Sequence, residues 1–463
     1  MSQRRSPPGP WNPPLTSLWR QRDLLRFLLR IGSQYGDLWR FRVGRRNYYV
    51  LNHPDHIRQV LIADASKFIK GPAIRNARIT LGDGLLSSEG DLHKQQRRLI
   101  TPVFHPTRVA TYAERMVQCA ETMCAHWTDG QVIDLHQRMT ALTLDVVTQV
   151  LFGGEIGTDV GRIGAAMHVL VNMFDRARNP LAPLLNKLPL PSNFRFLRAL
   201  REVEATLQGF IENKKRGNRD PKNPPDLLEL LLATGGMSDK QLRDEAVTLF
   251  TAGHETTANA LVWTWYLLAQ HPEAEQKFHE ELDRVLGDRL ARSEDLDHLP
   301  YTRMVLSESM RLYPPAWIVA RQAVENYEIA GYPIAAGSVL LMSQYLIHRD
   351  PRFWGDDPTR FDPGRFTEDA KSQRPRWAYF PFGAGPRSCI GEGFAWVEAM
   401  LLLATIGRRW RLQLVDPHQT VHLHATITLR PENAIPMRLI RRNPPPGVAS
   451  VTRVSILPRD ADG

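Results

Sequence analysis

Along most of the chain, apolar residues return every three or four positions, which is the spacing of amphipathic helices. The stretches from His56 to Ala65, Arg108 to Trp127, Thr140 to Leu151 and Arg198 to Asn213 all follow it. Two regions do not. LWRFRVGRRNYYVLNHP, Leu38 to Pro54, predicts a hairpin turning at Gly44, and ENYEIAGYPIAAGSVLLMS, Glu325 to Ser343, predicts further strands with glycines at their turns. No segment repeats. The polar run from Asn213 to Pro225 reads as a loop inside a domain rather than a boundary. Proline-rich, polar ends at 1–14 and 443–463 are expected to be disordered, flanking one domain over 15–442. The fold class that follows is mainly α with small β-sheets.

The longest helical pattern runs from Ser238 to Gln270. Ser238 with Gln241 three residues on forms a capping box, and His271-Pro272 ends the pattern. At ~1.5 Å per residue such a helix is about 50 Å long and has to cross the core of the domain. At its middle TAGHETT, Thr251 to Thr257, interrupts an apolar run. Threonine hydroxyls there can bond to carbonyls one turn back and bend the helix, and Gly253 lets something approach the backbone closely. A packing kink with a solvated Glu255 is the plainer alternative. A zinc-protease reading of His254-Glu255 fails because Ala258 stands where the second histidine is needed.

Two further places carry charge or sulfur where the pattern makes them informative. In LPYTRMVLSESMRLYPP, Glu308 and Arg311 fall on the apolar stripe of Tyr301, Met304, Val305 and Leu312, so both are expected to face inward and to pair. In PFGAGPRSCIG, residues 381 to 391, Gly383, Gly385 and Pro386 shape a tight loop. Gly391 then opens a helix with the stripe Phe394, Val397, Leu401 and Ala404. Cys389 thus stands at a helix N-terminus, where free N–H groups favour a thiolate, the form that binds iron. A dinucleotide loop is excluded because Ser388 replaces the third glycine and no βαβ unit surrounds it.

Composition narrows the classes. The 463 residues, 43% of them hydrophobic, suffice for a large core. Three cysteines, Cys119, Cys124 and Cys389, are too few and too scattered for a disulfide framework, which fits a reducing, cytoplasmic setting. No apolar stretch approaches a membrane span, so a soluble protein with no transmembrane segment is expected. The net charge of +10 comes from basic residues spread along the chain without a Lys/Arg block. It suits an acidic protein partner and not nucleic acid.

Taken together these motifs resemble the cytochrome P450 haem-thiolate monooxygenases. Phe382-x-x-Gly385-x-Arg387-x-Cys389-x-Gly391 is similar to that family's haem-ligand signature, and Glu308-x-x-Arg311 to its helix charge pair. Pro363-Gly364-Arg365-Phe366 resembles the segment whose arginine joins the pair, with Gly364 in place of an acidic residue. Ala252-Gly253-x-Glu255-Thr256 resembles the oxygen-binding groove. The likeness runs from about Asp37 to Leu439.

The resemblance implies a P450 fold whose long central helix crosses the pocket of a haem b. Cys389 would be the iron ligand, with Arg387, His93, Arg97 and Arg321 on the haem carboxylates. Glu308, Arg311 and Arg365 would form a structural triad. Glu255 and Thr256 would deliver the two protons that turn one oxygen atom of O2 into water. No flavin or iron–sulfur motif is present, so the electrons would come from a separate ferredoxin or flavodoxin-type donor. The substrate would be lipophilic, a fatty acid or terpenoid. Its pocket walls would be Pro72 to Leu86, Gly161 to Arg178, the strand after Pro315, and Asn179 to Pro191, read as a lid in preference to a membrane-touching mouth. Open alternatives are a peroxide-driven peroxygenase, an oxygen-independent isomerase and a non-catalytic haem protein.

Overall fold

The computed structural model describes residues 6–10, 24–153, 188–216 and 225–442, with single positions at 166, 169, 170 and 185. The longer helices are α1 (Leu24–Tyr35), α2 (Gly90–Ile100), α3 (Ala113–Ala125), α4 (Leu135–Phe152), α5 (Pro191–Lys215), α6 (Asp239–Gln270), α7 (Pro272–Leu286), α8 (Pro300–Leu312) and α9 (Glu392–Arg409). The strands are β1 (Leu38–Val43), β2 (Arg46–Leu51), β3 (Phe68–Lys70), β4 (Val132–Asp134), β5 (Val319–Ala323), β6 (Tyr327–Ile329), β7 (Tyr332–Ile334), β8 (Val339–Met342), β9 (Trp410–Leu414), β10 (Leu423–Ala425), β11 (Leu429–Pro431) and β12 (Pro436–Arg441). The expectation of a mainly α fold with small sheets is met.

Helix α6 organises the rest. It starts where the capping box puts it: Ser238 Oγ accepts Gln241 N–H at 3.3 Å, and Gln241 Oε1 accepts Ser238 N–H at 2.9 Å. Its 32 residues span about 48 Å at ~1.5 Å each. Every residue from Thr257 to Leu268 is buried, so this half is enclosed on all faces, and α4, α5, α8 and α9 all pack on α6. Trp263 stacks on Tyr313 at 4.3 Å between ring centroids and donates its indole N–H to Leu429 O at 3.0 Å. Burying such a ring is worth roughly 4–6 kcal/mol in transfer free energy. The contact ties α6 to the end of α8 and to β11.

The largest sheet has the order β1-β2-β8-β5-β3. The β1–β2 hairpin runs from the pair Leu38↔Leu51 to Val43↔Arg46, turning at Gly44 with φ of 58°. Alternation sends Leu38, Tyr49 and Leu51 to one apolar cluster and Trp39, Phe41 and Val50 to another on the opposite face. The first cluster includes Phe380, at the start of the cysteine loop.

In the proline-rich N-terminal stretch, expected to be disordered, Pro7 is buried and Pro8 O accepts Arg40 N–H at 2.9 Å, which holds residues 6–10 against β1. The tail 443–463 and most of 161–187, including most of the expected lid from Asn179 to Pro191, lie outside the described residues. Among the described residues no helix is long and apolar enough to cross a membrane.

Candidate active site: a cysteine loop facing a cationic cradle

The loop before α9 is built by backbone contacts. Gly383 and Gly385 both have φ of 70°, and a Cβ on Gly385 would collide with Leu61 O, so only glycine lets the loop lie on the Gln59–Ala63 turn. Cys389 N–H donates to Phe382 O at 2.9 Å, and Phe382 packs on Trp396. The surface of Cys389 is open, yet its thiol is pushed up to about 11, chiefly by burial. Both hold if the sulfur opens onto an enclosed space. The Gly391 N–H pulls the other way but is outweighed, so the helix N-terminus alone does not maintain the expected thiolate. A bound metal cation would, since a coordinating thiol loses its proton. Among the described residues no group of three His, Cys, Asp or Glu could hold a metal.

Around this loop positive charge gathers without matching acids. Arg97 donates to Ser388 O at 2.8 Å and to Ser388 Oγ at 3.2 Å. Arg387 pairs with Glu89 and donates to Ser88 O at 3.0 Å. Lys70 and Arg321 are directly paired across β3 and β5, an unfavourable place for like charges. Burial, then the nearby Arg387, pushes Lys70 down to about 7 and Arg321 down to about 10. His93 is buried in α2 and pushed down to about 3, by burial first and then by Arg387, Lys70, Arg97 and Arg321, so its ring is a neutral donor. Four basic groups thus meet the carboxylate of Glu89, with Glu245 also acting on Lys70, and the excess of positive charge fits an anionic ligand. A haem with its carboxylates would supply both that anion and a metal for Cys389.

The three threonines of TAGHETT in α6 all bond back one turn, as the sequence suggests. Thr251 Oγ donates to Val247 O and Thr256 Oγ to Ala252 O, both at 2.7 Å, and Thr257 Oγ donates to Gly253 O at 3.2 Å. The helix nevertheless continues unbroken. Ala252 is exposed at mid-helix although this helix crosses the core, which marks a groove beside it. Glu255 does not bond to Thr256. Its carboxylate accepts Thr428 Oγ at 2.7 Å and lies 4.0 Å from Arg430, facing the β10–β11 hairpin.

The inward ion pair on α8 is present. Glu308 and Arg311 are both 0% exposed and meet at 2.6 and 2.7 Å. Arg365 Nε lies 3.7 Å from Glu308 Oε1, while its hydrogen bonds go to the carbonyls of Trp354 and Asp357. Burial raises Glu308 above the usual carboxylate range.

Sequence reading passed over Lys70, Glu89 and Glu398. Glu398, buried in α9, has its carboxyl 3.2 Å from Thr257 Oγ in hydrogen-bond contact, and burial pushes it up to about 8. A charge inside the apolar run WVEAMLLLA was the available signal, the same one that exposed Glu308. Lys70 and Glu89 lie in short segments with no periodicity to mark them.

Comparison with known proteins fits this geometry. The family model for Cytochrome P450 matches residues 5–436. The chain is 38% identical over 404 residues to cyclooctatin synthase of Streptomyces melanosporofaciens, covering 86% of this chain and 87% of the relative. It is 37% identical over 408 residues to cyclooctat-9-en-7-ol 5-monooxygenase of the same organism, with coverage of 86% and 87%. It is 34% identical over 418 residues to pentalenene oxygenase of Streptomyces avermitilis, with coverage of 89% and 92%.

Proposed function

The chain belongs to the cytochrome P450 family, whose members are haem-thiolate monooxygenases with haem b, and on that premise we propose that Cys389 is the iron ligand and Thr256 the distal hydroxyl. Arg97, Arg321 and Arg387 hold the haem carboxylates with the neutral ring N–H of His93, and Lys70 adds to their field. Phe382 O fixes the Cys389 amide, and the Gly391 N–H donates toward the sulfur, the kind of contact that tunes a metal ligand. Bound haem supplies the activation of O2, one oxygen atom entering a C–H or C=C bond and the other leaving as water.

The protein's own part is orientation and proton supply. The single proton of Thr256 is committed to Ala252 O, so its lone pairs face the groove as acceptors and can hold a water there. Glu255, at the side of the β10–β11 hairpin, brings protons from that direction. Glu308, Arg311 and Arg365 hold the frame. Electrons come from a ferredoxin or flavodoxin-type donor with its reductase, and the enzyme works in the cytoplasm.

The substrate we assign is a cyclic terpenoid in preference to a fatty acid, supported by relatives named for oxygenating cyclooctat-9-en-7-ol and pentalenene. The observation that carries the whole reading is the exposed Cys389 in a glycine-shaped loop whose Arg387 belongs to the cationic cradle and whose Ser388 is held by it. Cys389→Ala should abolish the thiolate signature of the reduced carbon monoxide complex and all oxygenation. Retention of both would overturn the assignment. Pentalenene-type and larger cyclic terpenes should shift the iron spin state in titrations where fatty acids of equal carbon number do not.

A further inference from the structure

The segment from Gly82 to Glu89 is gripped from two sides by opposite charge. Its N–H groups go to acids of α6: Asp83 N–H donates to Asp244 Oδ2 at 2.8 Å and Leu85 N–H to Glu245 Oε2 at 2.9 Å. Its carbonyls go to the cationic cradle, with Lys70 Nζ donating to Leu85 O at 2.8 Å and Ser88 O at 2.9 Å, and Arg387 to Ser88 O. Two glycines let it lie this close. A Cβ on Gly82 would strike the Asp244 carboxylate, and one on Gly84 would strike Thr248 Oγ.

Glu245 is fully enclosed, and its Oε1 has no hydrogen-bond partner. Leaving a carboxyl oxygen so is costly, the hydrogen bond of the acid goes to Leu85, and Lys70 is the cation drawn to it. Burial pushes Glu245 up to about 7. Glu245, Thr248, Ala252 and Thr256 follow one another along a single face of α6. The strap therefore lies on the stripe that continues into the groove, and beside it Leu86 is 38% exposed.

We propose that Glu245 is a positioning residue: by holding Leu85 N–H it sets where the Leu85–Leu86 wall stands over the Ala252–Thr256 groove, and so which bulky ligands fit. The inference rests on the haem assignment above. Because the other end of the strap is held by Lys70 and Arg387, the same backbone links the substrate wall to the residues assigned to the haem carboxylates.

The test uses the haem-loaded enzyme and two nitrogen ligands, imidazole, which is too small to reach the strap, and 4-phenylimidazole, whose ring extends beside the iron. Glu245→Ala should weaken 4-phenylimidazole about tenfold, the worth of one such hydrogen bond, and leave imidazole and the thiolate signature of the carbon monoxide complex unchanged. Glu245→Gln, whose amide oxygen can still accept Leu85 N–H, should restore most of the affinity. Gly84→Ala, which lifts the strap off Thr248 without touching the acid, should reproduce the Glu245→Ala pattern. Equal affinity of Glu245→Ala and wild type for 4-phenylimidazole, or equal weakening of both ligands, would overturn the positioning role while leaving the haem assignment intact. A wild-type protein that binds neither ligand at an iron would overturn both.

Discussion

Replacing Glu308 by alanine leaves Arg311 charged, fully enclosed and without a carboxylate. In the native protein the guanidinium makes two bonds to Glu308, two from Nη1 to His348 O at 2.7 Å and Pro358 O at 2.6 Å, and one to Arg360 O at 3.1 Å. Glu308 also accepts Asp362 N–H at 2.9 Å and faces Arg365. Arg349 and Arg374 are drawn to Glu308 and repelled by Arg311, so without the acid four arginines share one interior. An uncompensated buried charge of this kind costs about 3–5 kcal/mol. Urea unfolding followed by tryptophan fluorescence should show a lower midpoint with an unchanged slope.

The damage should also reach the cysteine loop. Arg311 holds His348 O, His348 Nε2 accepts Phe380 N–H at 3.1 Å, and Tyr379 OH donates to Ser307 O at 2.9 Å. The fraction of protein giving the thiolate-type carbon monoxide spectrum should fall accordingly. In Glu308→Leu/Arg311→Met the stranded charge is gone, so the double variant should lose less than the two single losses added together, by up to ~3 kcal/mol. A Glu308→Ala loss below ~1 kcal/mol, or additive single losses, would refute a buried, mutually dependent pair.

Thr256→Ala should keep haem, O2 consumption and electron uptake but lower product formed per O2 by about a hundredfold, the scale of a lost proton-transfer group; unchanged coupling would remove Thr256 from the proton path. Arg321→Leu should speed haem transfer to apomyoglobin about tenfold, as expected for one charge-assisted hydrogen bond, and an unchanged rate would take Arg321 out of the carboxylate site. Glu398, pushed up to about 8, binds its proton more tightly folded than unfolded. Its contribution to stability is therefore full below the ordinary glutamate value of ~4.3 and is lost as pH rises toward 8, at up to ~1.4 kcal/mol per pH unit. Glu398→Gln should accordingly gain stability on wild type as pH rises from about 4.3 to about 8, measured by urea midpoints, and a pH-independent difference would refute the buried neutral acid.

Local rules made much of this protein legible. The capping box and His271-Pro272 bounded α6, alternation located β1 and β2, and the apolar stripe of α8 turned Glu308 and Arg311 inward, because each signal acts within a few residues. What lay beyond reach was the outcome of competition between distant segments. Glu255 sits beside Thr256 in sequence, yet its carboxylate is taken by Thr428. The N-terminus of α9 favours a thiolate, yet burial by other elements outweighs it.

The sequence by itself determined the helices, the hairpin, the cysteine loop and the family, since propensity, periodicity and motif spacing are written in neighbouring residues. Tertiary structure alone decided the charge balance of the site. Lys70, Arg321 and Arg387 come from three separate segments and Glu89 with Arg97 from a fourth, and only folding brings them together, where low dielectric makes an excess of positive charge costly and an anionic ligand the remedy.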